Sequence, residues 1–151
     1  MSLFSFLKPK PKVPRQTLSS SALEARLRMH LHEPWGERTK VIATDRAYLT
    51  TTREEVERIA KQAWLPWRET AVGGGSCEIQ CFKLIVTAFE EAMKLCLPGR
   101  LAIYAALTEG DKAHAYIVAE LSATQVVIYD QTSGQFIDAD EMDAPIRYIQ
   151  A

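Results

Sequence analysis

The hydrophobic pattern changes character near position 98. Before it, apolar residues recur every three or four positions; after Gly99 they gather into short runs divided by polar turns. Ser21 and Glu24 form a capping box ahead of Leu23, Leu27 and Leu31, and Pro34 ends that pattern, which predicts a first helix. Thr52 and Glu55 form a second capping box. Val56, Ile59, Ala60, Ala63 and Trp64 then make one apolar stripe that stops before Pro66, as expected of a helix packed on a core. In the third helix Ser76 is the cap, and Phe82, Ile85, Phe89, Ala92 and Cys96 recur at helical spacing before Pro98-Gly99. Phe82, Ile85, Phe89 and Met93 are expected inside, and Glu78, Lys83, Glu90 and Lys94 outside, so this helix is placed at the centre.

Strands are expected at 101–107, 113–121, 126–130 and 146–149, with a turn over 108–112 and a connection over 122–125. Helices first and an antiparallel meander afterwards is an α+β plan: N-terminal helices and a central Cys-bearing helix packed on an antiparallel β-sheet. No internal repeat or second domain is visible.

Composition narrows the reading in two places. A chain of 151 residues with 47% hydrophobic residues can bury one core, and a net charge of −1 gives no push toward nucleic acid. The charge is uneven, however. Residues 1–15 hold Lys8, Lys10, Lys12 and Arg15 and no acid, leaving 14 basic against 19 acidic residues and a balance of −5 in the body. In that segment an apolar plug of Leu3, Phe4, Phe6 and Leu7 precedes Pro9, Pro11 and Pro14, which enforce extended geometry. Residues 1–15 are therefore read as an extended arm and 16–151 as a single domain. The arm has two readings, a disordered tail or a docking peptide for a larger assembly. No apolar stretch approaches the roughly 20 residues of a membrane helix. Three Cys without a secretory signal point to a reducing, cytoplasmic setting.

Candidate chemistry lies in the order Cys77, His114, Asp130. Cys77 follows Gly73-Gly74-Gly75-Ser76 and opens the third helix, where unsatisfied N–H groups and the helix dipole favour a thiolate. His114 begins one predicted strand and Asp130 ends the next. The three match the logic of nucleophile, base and orienter. The two strand residues share a face only if an odd-length connection joins their strands; a two-residue turn at Ala123-Thr124 would instead set Asp130 opposite Ile117.

With Ser76-Cys77-Glu78, His114-Ala115-Tyr116 and Tyr129-Asp130-Gln131-Thr132 in that order, the chain resembles the transglutaminase-like branch of the papain-like cysteine enzyme fold, notably small bacterial and phage-encoded members. A segment with Asp45, Tyr48 and Thr52 adds to the likeness. The chain departs from the family pattern after Glu78, where Ile79 replaces a second acid, and at Gln131, where a Pro is usual. The resemblance implies a cysteine-dependent hydrolase or acyl transferase acting on a peptide-like amide of a peptide or protein. In it Cys77 attacks, His114 moves the proton and Asp130 orients the imidazole. The Cys77 N–H supplies one oxyanion donor, with Gln80, Gln131 and Trp67 as candidates for the other. No cofactor is implied.

Competing readings stay open. Free Cys is usually a buried hydrophobe, which suits Cys81 and Cys96. A zinc set of Cys77, Cys81, His30 and His32 lacks the familiar spacings, so no metal is expected. The alternative to an enzyme is an inactive binding or structural module of the same fold, such as a phage particle component docked through residues 1–15; that reading would make the protein virion-associated. Trp35, Trp64 and Trp67 are read as core or rim aromatics, or as a platform for a carbohydrate or peptide.

Overall fold

The computed structural model describes residues 12–31, 35–65, 76–110, 113–122, 125–142 and 144–151. The plug at Leu3 to Leu7, Gly73 to Gly75, His32 and Trp67 lie outside the described residues, as does the side chain of Trp35.

Among the described residues nine strands and three helices follow one another as β1 (Thr17–Leu18), α1 (Ser20–His30), β2 (Trp35–Ile42), β3 (Tyr48–Leu49), α2 (Arg53–Ala63), α3 (Ser76–Lys94), β4 (Arg100–Leu101), β5 (Ile103–Thr108), β6 (Ala115–Leu121), β7 (Gln125–Asp130), β8 (Gln135–Ile137) and β9 (Ile146–Gln150). Six strands form the main sheet in the order β2-β9-β5-β6-β7-β8, and β1-β3-β4 form a small one. Pairing in the main sheet is antiparallel except between β2 and β9, which are parallel.

The helix starts show how local chemistry sets the elements. Thr52 caps α2 as its spacing predicts, its Oγ1 accepting from the Glu55 N–H at 3.1 Å. The cap of α1 is Ser19 rather than Ser21. Ser19 has the extended backbone a cap requires, and its Oγ accepts from the Ala22 N–H at 3.2 Å. At the other end of α3, Leu97 N–H reaches the Ala92 carbonyl and Cys96 N–H the Met93 carbonyl, both at 3.0 Å. These bonds make a Schellman stop in which Cys96, at φ 51°, occupies the left-handed position that Gly usually fills.

The sheet has a core on each face. Ala115, Ile117, Ala119, Val127 and Tyr129 pack against α2 and α3, while Tyr104, Tyr116, Val118 and Ile128 pack with Leu23 and Leu27 of α1 and with Leu31 just after it. Every residue of β6 is buried. The molecule is thus a three-layer arrangement whose middle is the sheet.

This corrects the expected papain-like or transglutaminase-like core with a central Cys-bearing helix on an antiparallel sheet. The helix forms one outer layer on the sheet, and its buried apolar residues are Cys81, Leu84, Ile85, Ala88 and Ala92. Of the four side chains expected inside, Ile85 is buried and Phe82 half-buried, whereas Phe89 is 39% and Met93 70% exposed. The inward face is turned about one residue from the expected one, because small Ala88 and Ala92 let the helix approach the sheet closely and leave the bulky residues outside. Trp64 was also expected on the α2 stripe, yet it follows the last helical residue and is 55% exposed.

The chain before β1 is fastened to the body. The Arg15 guanidinium bonds the Glu55 carboxylate at 2.5 and 3.0 Å and the Thr50 carbonyl at 3.0 Å. Burial alone would raise the Glu55 carboxyl, but the bonds from Arg15 and Thr51 outweigh it and hold the group below its ordinary range.

Candidate functional site

The structure brings together two of the three expected catalytic residues. Leu121 pairs with Gln125, so the β6–β7 connection is the odd, three-residue one, and Asp130 falls in register opposite Tyr116, on the face that His114 shares by alternation. His114 Nε2 and Asp130 Oδ1 are 3.1 Å apart. The imidazole also rests edge-on against Tyr116, with ring centroids 4.5 Å apart. Burial would raise the Asp130 carboxyl, but the His114 bond, helped by the Thr132 N–H at 2.9 Å, holds it below the ordinary carboxylate range.

Cys77 is not tied into this pair. It lies in the first turn of α3, half-buried, and packs against the cluster on the opposite face of the sheet from Tyr116. No hydrogen bond among the described residues joins it to His114 or Asp130. The two described candidates for the oxyanion donor are committed elsewhere. Gln80 clamps the chain after α2, donating to the Leu65 carbonyl at 2.7 Å and accepting from the Leu65 N–H at 3.1 Å. Gln131 donates to the Ala60 carbonyl at 3.1 Å. Both glutamines hold backbone rather than face a substrate. Cys81 is fully buried, and burial pushes its thiol far up, which suits a core residue. Cys96 is exposed at the helix stop. Among the described residues no group of three His, Cys, Asp or Glu side chains could hold a metal ion.

A different place collects polar side chains around a cleft. A cleft of about 370 Å³ opens at the β8 edge of the sheet, between the end of α1 and the start of α2, lined by His30, Arg53, Phe136, Asp138 and Glu141 over a floor of Val126 and Ile128. The His30 Nε2 atom is buried and has no hydrogen-bond partner among the described residues. Arg53 lays its guanidinium over the Phe136 ring, 4.7 Å from the centroid, and makes no hydrogen bond to another described residue. Glu141 accepts from the Asp138 N–H at 2.6 Å, which fixes the acidic rim around the short 3₁₀ turn Ala139–Glu141. Sequence reasoning reached His30 only as a remote zinc ligand and did not reach the others. The signal that could have found them is the spacing of Asp138 and Glu141, a cap-like pair directly after an apolar strand.

The fold has known counterparts. No family model matches the chain, and no curated protein matches it by sequence. Among solved structures it is similar to PSL1a in the PSL1a–E64 complex, at TM-score 0.74 and 16% identity, over 89% of this chain and 50% of that one. It is also similar to the Polyporus squamosus lectin bound to the human-type influenza-binding epitope Neu5Acα2-6Galβ1-4GlcNAc, at TM-score 0.64 and 16% identity, over 91% of this chain and 49% of that one. The chain therefore spans about half the length of the structures it matches, and at this identity the likeness shows the fold.

The fold likeness is to these structures, one of them a lectin, and it stands against the expected membership of the transglutaminase-like branch. The expectation of a cysteine-dependent hydrolase or acyl transferase with a thiol nucleophile is corrected with it, as is the peptide-like substrate. No described helix is long and apolar enough to cross a membrane.

Proposed function

We propose that this chain is a binding module that takes a saccharide in the cleft between α1, α2 and β8. The observation that carries the reading is the buried His30 Nε2, which has no hydrogen-bond partner among the described residues, beside the exposed Arg53 guanidinium stacked on Phe136. Buried polar atoms are rarely left without partners, and those that are point to a ligand or to water. The cleft lies within the usual size range of small-molecule sites, about 300–1,000 Å³. Its rim offers two carboxylates as acceptors and a guanidinium as donor, which together can engage neighbouring hydroxyls of a sugar ring. Likeness to a lectin that binds a sialylated trisaccharide supports this ligand class over a peptide.

The test is a titration of the isotope-labelled chain with Galβ1-4GlcNAc and with Neu5Acα2-6Galβ1-4GlcNAc, followed by amide NMR and extended to a glycan array. Perturbed amides should cluster at His30, Arg53 and 136–141, and Arg53→Ala and Asp138→Ala should each weaken binding about tenfold or more without lowering Tm appreciably. An array without hits, or perturbations that avoid the cleft, would sink the reading.

A further inference from the structure

The outer face of α3 has a pattern that packing among the described residues uses only in part. Ile79, Phe82, Val86, Phe89 and Met93 follow one another at alternating spacings of three and four residues, the a/d repeat of a coiled-coil seam. The residues that dock α3 on the sheet are Cys81, Leu84, Ile85, Ala88 and Ala92, with Phe82 packed partly against them; Val86, Phe89 and Met93 are not among them. Val86 is 49%, Phe89 39% and Met93 70% exposed, while Ile79 and Phe82 are half-buried. The helix is therefore apolar on two adjoining faces, and among the described residues the second stays open from Val86 to Met93. Contiguous exposed apolar surface of this kind marks an interaction site.

Charge decides the occupant. Lys83 and Glu90 flank the stripe at equivalent heptad positions, one turn of the repeat apart, and neither forms an ion pair among the described residues. In an antiparallel pair of α3 helices with its two-fold axis between Val86 and Phe89, Val86 meets the partner's Phe89 and Phe82 meets the partner's Met93. The flanking positions then bring Lys83 against the partner's Glu90, and the symmetry makes that contact twice. We infer that α3 is a self-association surface through which two copies of this chain pair, antiparallel and about a two-fold axis. The Arg100 guanidinium, 4.4 Å from the centre of the Phe89 ring, closes one rim of the seam. The other flank of the helix is the side that faces the chain's own core, so the surface accommodates one partner.

Sedimentation velocity over a concentration series tests the pairing, using the full chain. The wild type should shift reversibly from monomer to dimer, and Val86→Glu should be monomeric throughout. Lys83→Glu and Glu90→Lys should each raise the dimer dissociation constant about tenfold, since each sets like charges together twice. An equimolar mixture of the two variants, or the double exchange Lys83→Glu with Glu90→Lys, should restore wild-type association. Circular dichroism of each variant separates loss of pairing from loss of fold. A wild type that stays monomeric to its solubility limit overturns the inference, and so does a dimer indifferent to Val86→Glu. A mixture that associates no better than either variant alone overturns the antiparallel register.

Discussion

Cys96 holds a backbone conformation that costs a side-chain-bearing residue about 1 kcal/mol or more, because its Cβ crowds the following carbonyl. It does so to end α3 with two capping bonds. Cys96→Gly should therefore stabilise the chain by about 1 kcal/mol, read as a raised urea midpoint at unchanged slope. Two buried glutamates act on stability in opposite senses. Glu55 is held below its ordinary range, so its contribution is present above the ordinary value and is lost as pH falls through the depressed one. Glu120 is fully buried beside Arg26, whose Nε is 3.5 Å from Oε2, and burial pushes its carboxyl up to about 7 against the opposing charge of Arg26. Its neutral form suits the fold, so stability is full below the ordinary 4.5 and falls as pH rises through about 7. Glu120→Gln keeps a polar group against Arg26 and removes the ionisation. Relative to wild type it should gain on the order of 2–3 kcal/mol between mildly acidic and mildly alkaline pH, measured as the difference in urea midpoints. Equal pH profiles for the two proteins would show that Glu120 does not titrate in this range.

At the scale of the elements, α3 separates burial from hydrophobicity. Leu84 is fully buried, and Leu84→Ala should cost about 2–5 kcal/mol. Phe89 is 39% exposed, and in the monomer Phe89→Ala should cost well under half of that, because its ring lies under Arg100 rather than in the core. A paired denaturation measurement checks the ranking. The elements were largely legible: the α2 cap at Thr52, the stop of α3 near Pro98, and the strands around 103–108, 115–121, 125–130 and 146–150 all leave local signals. What was not legible came from partners distant in sequence. β2 reads as Trp-Gly-Glu-Arg-Thr-Lys before Val41 and Ile42, without alternation, and is a strand because β9 pairs with it. The face of α3 was misread because two apolar stripes overlap on one helix, and periodicity alone cannot say which one the chain covers. The His114 and Asp130 contact followed from strand parity. The cleft did not, since His30, Arg53 and Asp138 come from three separate segments.

In the whole molecule, the parallel pairing of β2 with β9 joins residues more than a hundred positions apart, from Trp35 with Ile146 to Ile42 with Gln150. The β6–β7 hairpin, by contrast, closes over three residues. Loop closure must be met before distant contacts stabilise anything, so the two pairings belong to different moments of folding. The hairpin and the strand β5 beside it can form a local nucleus; β2 has no pairing surface until β9, far along the chain, has been placed against β5. Pulse-labelled hydrogen exchange during refolding should find the amides of β6 and β7 protected first and those of β2 last, and Val118→Ala should slow folding where Val41→Ala mainly speeds unfolding. Until that last strand arrives, β9 stands as an unpaired edge, so the time the chain needs to bring β2 home is also the time during which it is open to pairing with another chain.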